Sequence, residues 1–563
     1  MKIYTADFET TTDPLDCRVW AYAICDIDNP DRIIYGNSIY QFIKWCENNT
    51  PCKIYFHNLA FDGSFIFDYL MKNGWKWIDF NKKMTKHTYN SLISDTNQVY
   101  SIKLCFGYRK NVTIQDSLKV IPLSIKNMAK AFNLPMEKRT LDYETYREPG
   151  HELTDDEKEY IKYDVQIAAL SLKPFIEQGF TALTAGSNAL NDYYSMLGGK
   201  VRFRGLFPLI NGIQDTYIRK AYRGGFTYVN PKYQGKEIKN GIVLDVNSLY
   251  PSVMASVDGE ILPYGEPVWF DGEYEQDDDM PLWIGTISCW FKIKPDHIPC
   301  IQLKANKKFK QTEYIENSRG EVTFITTSVD WKLIKQQYDL AEVKFLGGYK
   351  FAANRMLIKP YVDKWVKIKN DSAREGNMGM RQIAKLMLNS LYGKFATRIK
   401  GVSRKPVIKD GVVYYQDLPE DERHPVYLPM GVFITAYARY KTITSAQSLY
   451  DRFVYADTDS LHLIGTELPE NLEIDPYELG AWKHESTFTQ GKFLRAKCYM
   501  EMNGDEKIVH VAGMPDTCHN EVTIDNFNIG AKYNGKLYQH RVNGGIVLIP
   551  GEMQIRENSM FSF

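Results

Sequence analysis

Neither sign of charge prevails in this chain: Lys and Arg together number 69, and so do Asp and Glu, so no global field draws it to nucleic acid or to a membrane surface. Any such binding has to come from charge segregated within the fold. Cysteine is scarce and scattered, nine residues in 563 with no C-x-x-C pair and no Cys/His cluster at zinc spacing, which argues against a disulfide framework and a structural zinc. A reducing cytosol suits that pattern. Also lacking are an apolar core behind Met1-Lys2-Ile3-Tyr4 and any uncharged apolar run of membrane-spanning length, so a soluble intracellular protein is expected. What the chain has is length, too much for one ordinary core, and two or more domains with insertions are expected.

Carboxylates at the ends of apolar strands recur along it. Residues 453–464 read as a β-hairpin whose tip presents Asp457 and Asp459 with Thr458 between them. Two like charges so close repel, and a divalent cation resolves the repulsion. An ordinary Asp turn has the same letters, because Asp readily bonds its own backbone, so the rest of the chain has to decide.

Near the N-terminus, residues 3–9 alternate as a strand, which puts Asp7 and Glu9 on one face. An apolar run from Tyr55 ends in Asp62, and 65–70 is expected to be helical. Thr154 and Glu157 have capping-box spacing ahead of a helix over 158–170, where Tyr160 and Asp164 lie one turn apart. Singly, such pairs are more often surface features than sites. Together, four carboxylates and a hydroxyl meet the needs of two-metal phosphodiester hydrolysis: hard oxygen ligands for Mg²⁺ and a group to orient the attacking water.

Asp7-Phe8-Glu9-Thr10, Asn58-x-x-Phe61-Asp62 and Tyr160-x-x-x-Asp164, in this order, resemble the three motifs of the proofreading 3′–5′ exonucleases of DNA polymerases. The resemblance implies that Asp7, Glu9, Asp62 and Asp164 bind the metals and that Tyr160 and Lys138 serve catalysis. It also implies that Thr10, His57, Asn58, Phe61, Phe65, Ser117 and Leu118 hold a single-stranded 3′ end, where aromatic stacking needs no base preference.

Periodicity is lost between Gly179 and Gly205, and a domain boundary is expected there, dividing 1–182 from 183–563. Tyr222-Arg223-Gly224-Gly225 sets a cation beside two glycines that let a backbone approach a phosphate, although a simple turn reads the same way. Residues 241–245 form an apolar strand ending in Asp245, followed by the polar turn Val246-Asn247-Ser248-Leu249-Tyr250-Pro251. Turn amides beside a carboxylate suit a triphosphate and its Mg²⁺. Residues 381–395 are expected to be one helix, apolar along Leu386, Met387, Leu391 and Phe395, with Arg381, Lys385, Asn389 and Tyr392 along another face. Two cations, an amide and a ring suit phosphates and a base.

Asp245, that helix and the Asp457/Asp459 hairpin, in this order, are similar to motifs A, B and C of family B DNA polymerases, down to Asp-x-x-Ser-Leu-Tyr-Pro, Lys-Leu-x-Leu-Asn-Ser-x-Tyr-Gly and Tyr-x-Asp-Thr-Asp-Ser. Lys497-Cys498-Tyr499 resembles that family's primer-strand motif, and 435–439 another DNA-contacting segment. Insertions at about 257–355 and 398–424, and the wording of 386–395, 429–439 and 480–487, are similar to the protein-primed, phi29-type bacteriophage subgroup.

The resemblance implies an α/β multidomain fold: an RNase H-like exonuclease domain and a right-hand polymerase domain of palm, fingers and thumb. It implies Asp245, Asp457 and Asp459 as catalytic acids, with Val246 among the metal ligands and Asp459 either a ligand or beside one. Val246, Ser248, Leu249, Tyr250, Lys385, Asn389 and Tyr392 would meet the nucleotide, Tyr250 excluding a ribose 2′-hydroxyl. Tyr222, Arg223, Gly224, Gly225, Thr435, Arg439, Lys497 and Tyr499 would meet DNA. Two Mg²⁺ per site are implied, with Mn²⁺ as a substitute. The implied partners are template and primer DNA, dNTPs, a terminal priming protein gripped by the first insertion, and a phage single-stranded DNA-binding protein. A monomer in the host bacterial cytoplasm, without a membrane, completes the picture.

Two readings of other kinds compete. A replication-initiation binding protein with a dead polymerase fold is opposed by the full set of acids, and a nuclease alone is opposed by the Lys385/Asn389/Tyr392 helix, which a nuclease does not need. The insertions carry segregated charge, acidic at 271–279, basic at 304–310, and basic to acidic through 398–422, as solvated loops also would. After Lys497 short strands and turns are expected, with 543–549 a strand entered by a glycine turn that resembles the family's thumb. His484 and Glu485 read as a surface pair.

Overall fold

The computed structural model describes residues 1–302, 314–423 and 425–557. A ten-stranded mixed sheet organises the N-terminal part, and Lys2–Thr10 runs through it, antiparallel to Val19–Asp26 and parallel to Cys52–Phe56. Alternation decides what this strand does. Tyr4, Ala6 and Phe8 enter the core beneath helices Ile39–Asn48 and Leu59–Lys72. Thr5, Asp7 and Glu9 therefore face the opposite side, where Thr5 Oγ1 donates to the Val165 carbonyl at 2.7 Å in helix Asp155–Glu177. That helix starts with the expected capping box, Thr154 and Glu157 bonding each other's amides at 3.2 and 3.0 Å. Arg147 and His151, each 2.7 Å from Glu157, pin the preceding loop to it.

A second sheet of seven strands has Glu237–Val246 near its centre, between Ser460–Ile464 and Trp482–Arg495, with Phe453–Asp457 next to Ser460–Ile464. Helix Leu428–Ser448 is buried along most of its length, with helices Leu249–Met254 and Ser328–Gln337 and this sheet packed against it. Helices Lys359–Arg374 and Met378–Ser390 pack together as a projecting pair.

Several elements differ from their sequence reading. The aperiodic stretch 179–205 holds two helices, Ala185–Met196, capped by Thr184, and Lys200–Leu206. Gly198 and Gly199, both at positive φ, break them apart, which erased the period. The helix expected at 65–70 begins at Leu59, so Asp62 lies in its first turn. The helix expected over 381–395 starts at Met378, capped by Asn377, and stops at Ser390; a separate turn, Tyr392–Phe395, re-aims Tyr392.

The insertions are ordered structure where described. The first builds its own four-stranded sheet from Leu262–Phe270, Tyr338–Asn354, Leu282–Ile293 and Val322–Thr327; its basic run at 304–310 lies outside the described residues. The second sends Ser403–Lys409 to pair with Thr88–Ser94, extending the N-terminal sheet; its last residue, 424, is also outside the description. The C-terminal part contains longer strands than expected, with Lys532–Val542 and Gly545–Gln554 forming a hairpin. The tip of that hairpin rests on the N-terminal domain: Asn543 accepts from Lys72 at 2.5 Å, and a Cβ on Gly545 would lie 2.5 Å from the Phe65 ring.

Candidate active sites

In the first centre, alternation on Lys2–Thr10 and the long helix bring Asp7, Glu9 and Asp164 together, one carboxylate oxygen from each within 4.8 Å of the others. Among the described residues this is the one carboxylate group so tightly gathered. Lys138 Nζ donates to Asp164 Oδ2 at 2.8 Å, while the buried Asp164 Oδ1 has no hydrogen-bond partner. Burial and then the charge of Asp164 push Asp7 up to about 7, and burial with Asp7 behind it holds Glu9 and Asp62 well above their usual range. Crowded acids with an orphaned oxygen are a donor set for hard divalent cations. Tyr160 is tied through its hydroxyl to Tyr143 at 2.5 Å. No motif announced Tyr143.

The sign of the pH effect follows. Asp7 titrates near 7 in the folded protein and near 3.8 unfolded, so between those values the folded state binds more protons and stability falls as pH rises. At pH 8 in chelator, Asp7→Asn is expected to melt a few degrees above the wild type, corresponding to roughly 1–4 kcal/mol of relieved charge burial. Equal melting curves at pH 8 would refute that crowding.

Around this centre His57 bonds Ser117 Oγ at 2.9 Å and the Leu123 carbonyl at 2.7 Å, and burial lowers it to about 4, leaving the ring neutral. Asn58, at φ 73, donates its amide to Asp116, which also holds the Leu118 amide. Phe61 and Phe65 face each other at 5.6 Å. Thr10 ends its strand, half-buried. Ser117 is buried and donates to the Phe56 carbonyl, so the structure gives it a bracing position.

The second centre lies at the ends of the central strands of the seven-stranded sheet. Asp245 and Asp457 are both paired with Ser460, and the Val246 amide donates to the Asp459 carbonyl at 2.8 Å. Thr458, at φ 60, forms the tip; its amide reaches the Phe226 carbonyl at 2.6 Å. Gly225 is required there, because a Cβ would sit 2.6 Å from Thr458 Oγ1. Lys497 bonds Asp457 Oδ1, to which Thr227 and Thr458 also donate at 3.2 Å. Burial and then Asp459 push Asp245 up to about 7, and burial raises Asp459 as well. The acids line an open cleft of about 450 Å³ with Lys497 and Tyr499.

Across from the acids, Ser248 takes a left-handed conformation, and Leu249 begins the short helix that carries Tyr250. The Tyr250 ring stacks on Tyr392, centroids 4.1 Å apart. Arg381, Lys385 and Asn389 are exposed along one face of their helix, as their spacing required. Lys369, on the neighbouring helix, feels the charges of Arg381 and Lys385 and had no sequence signal.

Three expected DNA contacts are placed differently. Arg439 is buried, forked onto Asp330 of the first insertion at 2.8 and 3.0 Å, and bonds the Arg223 and Gly224 carbonyls. Arg223 spends its guanidinium on the carbonyls of Lys220, Tyr222 and Gln302. Thr435 is buried and bonds its own helix. The two arginines brace the loop behind Gly224 and Gly225, since a buried guanidinium needs partners for its donors. Tyr222 adjoins that loop, half-buried. His484 bonds Thr487, while Glu485 pairs with Lys483 and lines the same cleft as Asp245, Asp457 and Asp459.

A family model of DNA polymerase type B, organellar and viral, matches residues 44–148 and 139–475, and the chain belongs to that family. Within it the likeness is to phage enzymes. The DNA polymerases of Bacillus phage Nf and Bacillus phage phi29 are 45% and 42% identical, over 99% of this chain and 100% and 99% of theirs. That of Streptococcus phage Cp-1 is 31% identical over 98% of each. Phi29 DNA polymerase complexed with primer-template DNA matches with a TM-score of 0.92 at 41% identity, covering 99% of this chain and 100% of that one. Its ternary complex with incoming nucleotide matches at 0.91, with the same identity and coverage. The chain is a phi29-like DNA-directed DNA polymerase with the expected α/β multidomain fold, and divalent-metal dependence comes with the family. No helix among the described residues is long and apolar enough to cross a membrane.

Proposed function

We propose that this polymerase copies a linear phage genome by protein-primed, strand-displacing synthesis and edits its own product, with residues 1–182 as the exonuclease domain and 183–563 as the polymerase domain. The observation that carries the two-activity reading is the presence of two separate acid centres on two sheets, one faced by cations and stacked tyrosines, the other a closed nest of carboxylates.

At the polymerase centre Asp245 and Asp457 would hold Mg²⁺, two per site with Mn²⁺ as a substitute, supplying activation of the primer 3′-hydroxyl and charge for the departing pyrophosphate. Asp459 anchors the Val246 amide and adds charge beside Asp245. Lys385 and the amides after Asp245 receive the triphosphate, Tyr392 stacks near the new pair, and Lys497 moves from Asp457 to a primer phosphate. At the editing centre Asp7, Glu9, Asp62 and Asp164 would hold the metals and Tyr160 would orient the attacking water, while Lys138 steadies Asp164. Tyr250, wedged by Tyr392, bars a ribose 2′-hydroxyl; Tyr250→Val is expected to raise ribonucleotide incorporation at least about tenfold in primer extension. Unchanged discrimination would remove that role.

Strand displacement is supported by the second insertion, which extends the N-terminal sheet, and by the C-terminal hairpin seated on Phe65 and Lys72; together they tie the two domains to each other. The proposed partners are template, primer, dNTPs, a terminal priming protein and a phage single-stranded DNA-binding protein. The enzyme would act as a monomer in the host bacterial cytoplasm. Incubation with Mg²⁺, labelled dNTP and either primed DNA or a candidate priming protein tests the priming mode. Label on the protein is expected, and label on primed DNA alone would contradict protein priming.

A further inference from the structure

We propose that Lys483 is a nucleotide-binding cation of the polymerase centre, supplied by the sheet and aimed at the triphosphate of the incoming dNTP. This rests on the reading above that the turn after Asp245 and helix Met378–Ser390 hold that triphosphate.

Register places it. Trp482–Arg495 runs antiparallel to Glu237–Val246, and a register shift between Val243 and Leu244 sets Asp245 opposite Lys483. Continued without the shift, the pairing of Val243 with Ser486 would have set Asp245 opposite the exposed His484. Opposed residues of an antiparallel pair share a face, so Lys483 stands beside Asp245 above the cleft, whereas the next pair, Val246 and Trp482, is buried on the core side. Lys483 Nζ lies 2.7 Å from Glu485 Oε2.

Its charge is felt in two directions. Asp245 and Asp459 sense it from the sheet, and Lys369 senses it from the projecting helices together with Arg381 and Lys385. Lys369, Arg381 and Lys385 make no ion pair among the described residues, and the carboxylate held by Lys483 is the half-exposed Glu485. Four cations from three elements thus converge on one mouth with a single weak internal partner. Exposed Lys–Glu pairs contribute little, and a lysine's flexible stem allows exchange of Glu485 for a phosphate oxygen. A polyanion entering between Lys385 and Asp245 passes Lys483. Lys483 lies within 480–487, a stretch whose family resemblance gave the lysine no role.

The test uses the full chain on a dideoxy-terminated primer annealed to template, with Mg²⁺ and titrated dNTP, reading ternary-complex formation instead of turnover. Lys483→Gln is expected to raise the dNTP Kd about tenfold, the weight of a charge-assisted hydrogen bond, and Lys483→Arg to stay within about twofold of wild type, while primer–template affinity holds in both. Lys385→Gln reports on the site itself. If it raises the Kd while Lys483→Gln does not, Lys483 has no such role and the triphosphate site stands. If neither variant moves the Kd, the placement of the triphosphate falls with the proposal. Equal losses of dNTP and primer–template affinity in Lys483→Gln would mark a disturbed sheet and overturn it too.

Discussion

Asp457→Ala is expected to lower nucleotide incorporation by a factor on the order of 10³ or more and to leave the protein able to shorten a primer from its 3′ end. Both halves follow from where Asp457 sits. Its carboxylate closes the end of the hairpin strand, takes hydrogen bonds from Thr227 and Thr458 and an ion pair from Lys497, and faces Asp245 and Asp459 in the same cleft. Removing it takes a carboxylate from the proposed metal site and frees Lys497 from its anchor. The fold survives, because the hairpin is held by its backbone pairing with Glu237–Val246 and by the Thr458 amide on Phe226. None of these contacts reaches the other sheet. A labelled primer–template with a single dNTP measures the loss, and the same primer without dNTP measures the retained degradation.

Asp7→Ala is expected to give the mirror image: degradation falling by a factor on the order of 10³ and incorporation staying at the wild-type level. Asp7 shares its centre with Glu9 and Asp164, and each of the three is held up in pKa mainly by burial. Removing one member leaves too few hard oxygens for two cations. With dNTPs present the variant also extends mismatched primers that the wild type trims, which a mismatch-extension assay reads directly.

Much of this was legible before any coordinates, for reasons that differ by residue. Asp7 and Glu9 share a face because a strand alternates, and Arg381, Lys385 and Asn389 share one because a helix repeats every 3.6 residues. The capping box at Thr154 and Glu157 is a local exchange of hydrogen bonds that four residues determine. The fork of Arg439 onto Asp330 was not legible, because Asp330 lies 109 positions away in an insertion with no readable pattern. Lys369 and Tyr143 belong to their centres only through packing of separate elements, and nothing in their own neighbourhoods says so. The docking of the C-terminal hairpin onto Phe65 is of the same kind: Gly545 reads as a turn residue, while its reason is the ring it must pass.

Whether one chain carries two separable phosphoryl-transfer centres is tested on one gel. Wild type, Asp457→Ala and Asp7→Ala are each given the same 5′-labelled primer–template with Mg²⁺, with and without dNTPs. Extension and shortening are expected for the wild type, shortening alone for Asp457→Ala and extension alone for Asp7→Ala. A folded variant in which either single substitution abolished both reactions would contradict it.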